Sequence, residues 1–381
     1  MPATDVPDAR LDPQAAGSLV AAIQQTNSLV HITVNVGDGD CQLLVLPADD
    51  TGQRRLMIVD TIRADKLLRL IDDLNQAGVL GPGGAQVELV VATHPHADHI
   101  RGIPRVLDTF AASRPEVWEP GYRHQSGMYL DILDRVAQHG LRRTVVSAGM
   151  MRFFGQTRIT VLSPGVSLQH RFDSYGVDVN NASVCLKVDY PATQVIRTVV
   201  GMELKHTFVD HDIGTSLVLG ADAQMLSWAQ VLVDFPQLAK DPTPAREAIR
   251  ISGGAMPLKA DIFKVPHHGS KHGLTLELVS AIAPKISIVS SVHSGGSYHF
   301  PHEVAMLQLR EAVNARATKP GVPFDPDEDL RLLYTGSNVN PGGGAAGSVC
   351  VICQVGGQRQ VWRLMDEADA NIDLDDARLV N

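Results

Sequence analysis

From about residue 29 the chain alternates short apolar runs with helix-spaced segments. LVHITVNVG, CQLLVLP and RRLMIVD are of strand length, and the turn signals GDGD and DDTGQ part them. ADKLLRLIDDLNQAG then sets apolar residues at helical spacing and stops on glycine. QVELVVAT is a continuous apolar run, which predicts a strand buried on both faces. IPRVLDTFAA and GMYLDILDRVAQHG read as helices, with EVWEP as a short strand between them. RTVVSAG, TRITVLSP, SVCLKVDY and TSLVLGAD add strands, and ADIFKVP, KISIVSSV, DLRLLYTG and GSVCVICQVGGQRQVWRL resume them late in the chain. LTLELVSAIAP and HEVAMLQLREAV supply the late helices.

Strands dominate each half and helices intervene, which predicts a two-sheet sandwich with helices outside, built as one domain. Its expected limits are 29–365, after an N-terminal extension at 1–28. A Pro-rich excursion near 224–258 interrupts it, and an acidic stretch at 366–381 is expected to be a solvated tail. There is no internal repeat of 20–50 residues.

Composition narrows the class. The 381 residues carry 33 Lys+Arg against 42 Asp+Glu, a formal charge of -9, which argues against the basic coat of a non-specific nucleic-acid binder. No apolar run approaches the roughly 20 residues of a membrane helix, so membrane insertion is not expected. The opening MPATDVPDARLDPQ lacks the basic and apolar regions of a secretion signal. Four cysteines make no disulfide framework, and Cys350 and Cys353 fall in a strand rather than a zinc knuckle. The expectation is a cytoplasmic protein; its oligomeric state is not legible.

The 15 histidines are unevenly placed, and this changes the picture. Thr93-His94-Pro95-His96-Ala97-Asp98-His99 follows the buried strand QVELVVAT. A strand end fixes the backbone, and imidazole with carboxylate is a usual ligand set for zinc and other first-row metals. Three histidines and an aspartate in six positions present two ligand pairs to two adjacent ions. Asp222, at the end of SLVLGAD, is placed to bridge two cations. As an isolated feature it would read as a helix cap. His267 and His268 follow ADIFKVP. His267 is taken as the ligand of that pair and His268 as a substrate or outer contact.

These segments, with MIVDT at 57–61 and VNVGDGD at 34–40, resemble the metallo-β-lactamase superfamily. The closer resemblance is to the hydrolase domain of ComEC-type competence proteins. It is carried by Gly37, Gly39, Asp40, Asp60, the HxHxDH of 94–99, Asn180-Asn181-x-Ser183, Gly220-x-Asp222 and Lys264-x-x-His267-His268-Gly269-Ser270. The resemblance spans about residues 30–365. It implies an α+β, four-layer αββα sandwich with two divalent metal ions, Zn or Mn, at one edge. His94 and His96 would hold the first ion; Asp98, His99 and His267 the second; Asp222 would bridge. Asp60 would orient the ligands. Where the superfamily often supplies a third histidine to the first ion, this chain has Asn181, which favours a looser site and makes Mn²⁺ an alternative to Zn²⁺. The ComEC-type Tyr-Gly-His-Pro is replaced by Tyr298-His299-Phe300-Pro301-His302.

Two adjacent cations lower the pKa of a bridging water and neutralise charge on a phosphoryl or carbonyl oxygen. Asp98, His268 and His299 are the candidates for direct catalytic roles, and Arg123, Lys271 and Ser294 for substrate contact. The expected activity is a metal-dependent hydrolase acting on a phosphodiester, with DNA or a nucleotide as substrate. Two alternatives stay open: a small-molecule esterase or lactonase of the same fold, and a non-catalytic metal-binding partner protein.

Overall fold

The apolar runs are laid down as two mixed sheets in a computed structural model, which describes residues 18–121, 124, 126–171, 179–192, 194–201, 203–209, 214–234, 258–291, 299–317, 331–336 and 347–380. In chain order the strands are β1 (Ser28–Thr33), β2 (Cys41–Val45), β3 (Leu56–Thr61), β4 (Val87–Val91), β5 (Glu116–Glu119), β6 (Arg143–Val145), β7 (Met151–Phe154), β8 (Thr157–Ser163), β9 (Cys185–Tyr190), β10 (Gln194–Val200), β11 (Glu203–Val209), β12 (Thr215–Leu219), β13 (Ile262–Lys264), β14 (Ile286–Val289), β15 (Arg331–Tyr334), β16 (Val349–Gln354), β17 (Arg359–Arg363) and β18 (Arg378–Val380). The helices are α1 (Leu19–Gln24), α2 (Ala64–Gln76), α3 (Ala97–Ile100), α4 (Ile103–Thr109), α5 (Gly127–Gln138), α6 (Val166–Arg171), α7 (Met225–Asp234), α8 (Leu276–Ile282) and α9 (Glu303–Ala317).

The first sheet has the order β18-β17-β16-β1-β2-β3-β4-β5-β6, and the second β15-β14-β13-β12-β9-β8-β7. β10 and β11 form a separate antiparallel ribbon that the sequence reading did not anticipate. Each large sheet has a parallel half: β3 to β6 in the first, β12 to β15 in the second.

Three apolar clusters make the four layers. Leu67, Leu70, Leu74, Val106 and Ile132 of the helices pack on Ile32, Leu43, Ile58 and Val90 of the first sheet. Between the sheets, Leu44, Met57, Leu89 and Val91 meet Val161, Val188, Leu217 and Ile288. On the far side Trp228, Leu278, Val279 and Leu309 cover Val218, Phe263 and Val289. Val90 therefore faces the helices while its neighbours Leu89 and Val91 face the second sheet. This explains why β4 reads as an unbroken apolar run. The expected αββα sandwich is the observed one. Cys350 and Cys353 lie on opposite faces of β16, one in each cluster, so the pair cannot share an ion. Among the described residues no helix is long and apolar enough to cross a membrane.

Two boundaries differ from the sequence reading. The 366–381 stretch is not a solvated tail. Lys66 Nζ lies 2.6 Å from Asp366 Oδ2 with both side chains buried. Ile372 and Ala377 join the helix-side core, and β18 extends the first sheet beside β17. The acidic average of this stretch conceals apolar residues placed to be buried. The 1–28 extension is not separate throughout, because Leu19 and Ile23 of α1 are fully buried in the same core. Of the excursion near 224–258, residues 225–234 form α7, and 235–257 lie outside the described residues.

Candidate metal centre

The parallel halves bring the C-terminal ends of β3, β4, β12 and β13 to one edge, where open α/β sheets usually place their sites. Asp60 sits at the end of β3, the 93–99 motif follows β4, Asp222 follows β12, and His267 and His268 follow β13. At β3 the register against β2 slips past Asp60, whose φ is 54°. This bulge re-aims the carboxylate at the 93–99 segment. Thr93 donates its backbone N–H to Asp60 Oδ1 (2.8 Å) and its hydroxyl to Oδ2 (2.6 Å). His99 Nδ1 lies 2.7 Å from the same Oδ2.

These bonds fix which ring nitrogens carry protons. Asp60 accepts from His99 Nδ1, leaving His99 Nε2 as a lone pair 3.1 Å from Asp222 Oδ1. His268 Nδ1 is 2.7 Å from the Ser290 carbonyl, which can only accept, so His268 Nε2 is also a lone pair. It faces Asp98 Oδ2 at 3.6 Å and Asp222 Oδ1 at 3.7 Å. Thr93 spends its hydroxyl proton on Asp60 and so accepts from His94 Nδ1 (3.1 Å). His94 Nε2 then points at His96 Nδ1 (3.2 Å) and Asp222 Oδ2 (3.7 Å).

The result is two groups of convergent acceptors: Asp98, His99, Asp222 and His268, and His94, His96 and Asp222. A third group, Asp40, Asp60 and His99, lies behind them, where Lys264 Nζ sits 2.6 Å from Asp40 Oδ2. His99 Nε2, Asp222 Oδ1 and His268 Nε2 are buried with no hydrogen-bond partner among the described residues. Native proteins rarely leave buried polar atoms so. Acceptors facing acceptors at this range require positive charge between them, and imidazole with carboxylate fits a divalent first-row ion.

The ionisation of the groups tells the same story. Burial pushes the Asp222 carboxyl up, but the imidazoles of His99 and His268 outweigh it and hold it well below the usual range. Burial depresses His99, yet the Asp222 and Asp60 carboxylates hold it well above its ordinary value. His268 is raised against its burial by Asp222 and Asp98. Burial, reinforced by neighbouring His99, keeps His94 neutral, as a ligand must be. A proton or a metal ion can answer the demand at His99 and His268.

It is His268, rather than His267, that joins the four-residue group. Both residues are left-handed (φ 49° and 53°), and this double turn splays their rings to 6.4 Å between centroids. His267 Nε2 reaches Asp222 Oδ2 at 3.7 Å, on the side of the first group. Asn181 belongs to none of these groups: its Oδ1 accepts from the N–H groups of Leu226 and Ser227 and caps α7. His299 (φ 58°) is exposed and belongs to none of the convergent groups. Lys271 is exposed, and its backbone N–H donates to His302 Nδ1. His302 in turn stands just before α9 and caps it through its carbonyl. Arg123 and Ser294 lie outside the described residues.

Sequence reasoning gave no role to Gln224, which follows the Gly-Ala-Asp of 220–222 with no motif of its own. It named Asp40 only as part of a turn. Asp40 donates its N–H to the Asp98 carbonyl (3.0 Å), and the Ser290 hydroxyl donates to the Gly39 carbonyl (2.5 Å), which ties the same turn to the end of β14. A Cβ at Gly39 would stand 2.7 Å from the Asp98 carbonyl, so the turn needs glycine there.

Residues 48–171 match the family model of the metallo-beta-lactamase superfamily, a span holding Asp60 and the 94–99 motif. Among solved structures, the chain is similar to a diphosphatase from the PhnP family (10% identity, covering 85% of this chain and 98% of that one, TM-score 0.36). It is also similar to the metallo-beta-lactamase fold protein YhfI from Bacillus subtilis (9%, 85% and 99%, TM-score 0.36). A third is human tRNase Z, short form (12%, 68% and 92%, TM-score 0.31). No curated protein matches the chain. The family match, with the αββα layers and the ligand groups, supports a metallo-β-lactamase superfamily domain. That superfamily is generally hydrolytic and binds divalent metals, typically two.

Proposed function

We propose that the chain is a two-metal phosphodiesterase or nuclease. The observation that carries this reading is the cluster around Asp222, where His99 Nε2, His268 Nε2 and Asp222 Oδ1 converge with no hydrogen-bond partner among the described residues. His94, His96 and Asp222 would hold one ion, and Asp98, His99, His268 and Asp222 the other. Zn²⁺ and Mn²⁺ both suit such a set, and the first group, with fewer ligands, is the weaker. When bound, the pair supplies Lewis acidity and a water acidic enough to attack near neutral pH.

The chain's own contribution is positioning. Asp60, Thr93 and Ser290 lock three ligand rings so that their lone pairs face one space. Asp98, with 41% of its side chain exposed, faces the open side of that space, whereas Asp222 is buried beneath it. An anionic phosphodiester would meet positive charge at the rim of a negatively charged molecule. The resemblance to ComEC-type hydrolase domains points the same way, toward nucleic acid or a nucleotide.

The test is cleavage of bis(p-nitrophenyl) phosphate and of single-stranded DNA with Mn²⁺ or Zn²⁺, against Asp98→Ala and Asp222→Ala. Removal of either carboxylate is expected to abolish turnover. Equal rates in variants and parent, or cleavage of carboxylic esters and lactones but of no phosphodiester, would overturn the reading.

A further inference from the structure

The two histidines of the 267–268 pair approach Asp222 from different sides, but their rings are wired differently. His268 gives its Nδ1 proton to a carbonyl and turns a lone pair to the cluster. The wiring of His267 starts at α7. The backbone N–H groups of Leu226 and Ser227 both donate to Asn181 Oδ1 (3.1 and 3.3 Å), which fixes the orientation of that amide. Asn181 Nδ2 therefore donates to Gln224 Oε1 (3.3 Å), which fixes the Gln224 amide in turn. Gln224 Nε2, a donor only, faces His267 Nδ1 at 3.4 Å. His267 Nδ1 must accept, so in the neutral ring the proton stands on Nε2.

A nitrogen that carries a proton is not a metal ligand. We propose that His267 is a fixed N–H donor to a substrate oxygen beside the first metal position. Its Nε2 is aimed to the Asp222 Oδ2 side, 3.7 Å away. The side chain is 15% exposed, so an oxygen entering from the cleft can reach it. Phe300 packs against the ring at 5.3 Å between centroids and limits its rotation. The ligand chemistry is an anionic tetrahedral oxygen, such as a phosphoryl oxygen, on which negative charge grows in the transition state. Gln224 is the positioning residue. This deepens the hydrolase reading above and rests on it for the identity of the substrate oxygen.

The test compares His267→Asn with His268→Asn, asparagine being tolerant of the left-handed backbone that both positions adopt. In calorimetric titration with Zn²⁺, His267→Asn should bind two ions with parent-like affinity, within about 3-fold, whereas His268→Asn should lose at least about 10-fold at one site. With metal saturating, turnover of His267→Asn should fall roughly 100-fold, as on loss of one oxyanion donor. Long-range ¹H–¹⁵N spectra of histidine-labelled protein should show the signal lost in His267→Asn to be protonated on Nε2. Gln224→Glu, whose carboxylate would draw the proton to Nδ1, should lose turnover while keeping both ions. Loss of an ion from His267→Asn, an Nδ1-protonated ring, or full turnover in His267→Asn or Gln224→Glu would each overturn the proposal. If the loaded parent protein cleaves no phosphodiester, the hydrolase reading falls, and the spectra and titrations still decide whether His267 is donor or ligand.

Discussion

At the scale of single residues, the site is governed by what holds each ring. Asp60 stands outside the two groups that share Asp222 and takes three hydrogen bonds, from Thr93 twice and from His99. Asp60→Asn keeps the shape and removes the charge that fixes the His99 tautomer. It should weaken metal binding by roughly 10- to 100-fold while leaving the fold intact, as read by competition with a chelating dye and by circular dichroism. His31, in β1, is a buried histidine with a different role. Its Nε2 lies 3.1 Å from Gln42 Oε1, and burial pulls its pKa down from 6.5 to about 4. The folded state therefore binds the proton less readily than the unfolded chain does. The neutral ring's full contribution is present above pH 6.5 and is lost as pH falls from there toward 4, a loss of about 3 kcal/mol. Urea unfolding at pH 7 and at pH 4.5 should show His31→Phe losing less stability on acidification than the parent. Parallel losses would refute this. The convergence of the side chains at 94–99 with Asp222 was legible because histidines and carboxylates stand together at strand ends in the sequence. The division between His267 and His268 was not. It depends on two consecutive left-handed residues and on an amide relay through Asn181 and Gln224, which no spacing records.

At the scale of elements, continuous apolar runs gave β4, β9, β12 and β14, and helical periodicity gave α2 and α5, because tertiary burial and local preference agree there. The β10–β11 ribbon escaped although QVIRTVV is rich in β-branched residues, its partner ELKHTFV being polar enough to read as loop. The C-terminal stretch escaped because composition was averaged over a segment whose few apolar residues are the ones that pack. There, Lys66 meets Asp366 and also donates to the carbonyls of Asn35 and Glu367, at 2.8 and 2.6 Å. Asp366 in turn accepts from the N–H and hydroxyl of Ser348. Asp366→Ala would strand a buried ammonium and two donors, which should cost about 3–5 kcal/mol. A thermal scan should show a Tm fall of several degrees; an unchanged Tm would mean that the stretch contributes nothing to the core.

At the scale of the whole molecule, the site exists only because two sheets meet. Asp60 and the 94–99 motif come from the first, Asp222 and His268 from the second. Behind them the buried Lys264–Asp40 pair joins β13 to the turn between β1 and β2. The sandwich and the convergence of 94–99 with 222 were legible from motif order, since ligands so far apart in sequence must meet. The negative charge of -9 also takes on a local meaning, because part of it is the carboxylate set at this edge. The proposed activity stands on two divalent ions held by this set through a shared Asp222. Elemental analysis of the purified protein and of Asp222→Ala measures it most directly. Close to two divalent ions per chain are expected in the parent and no more than one in the variant. Less than one ion per chain in the parent, or an unchanged content in Asp222→Ala, would contradict it.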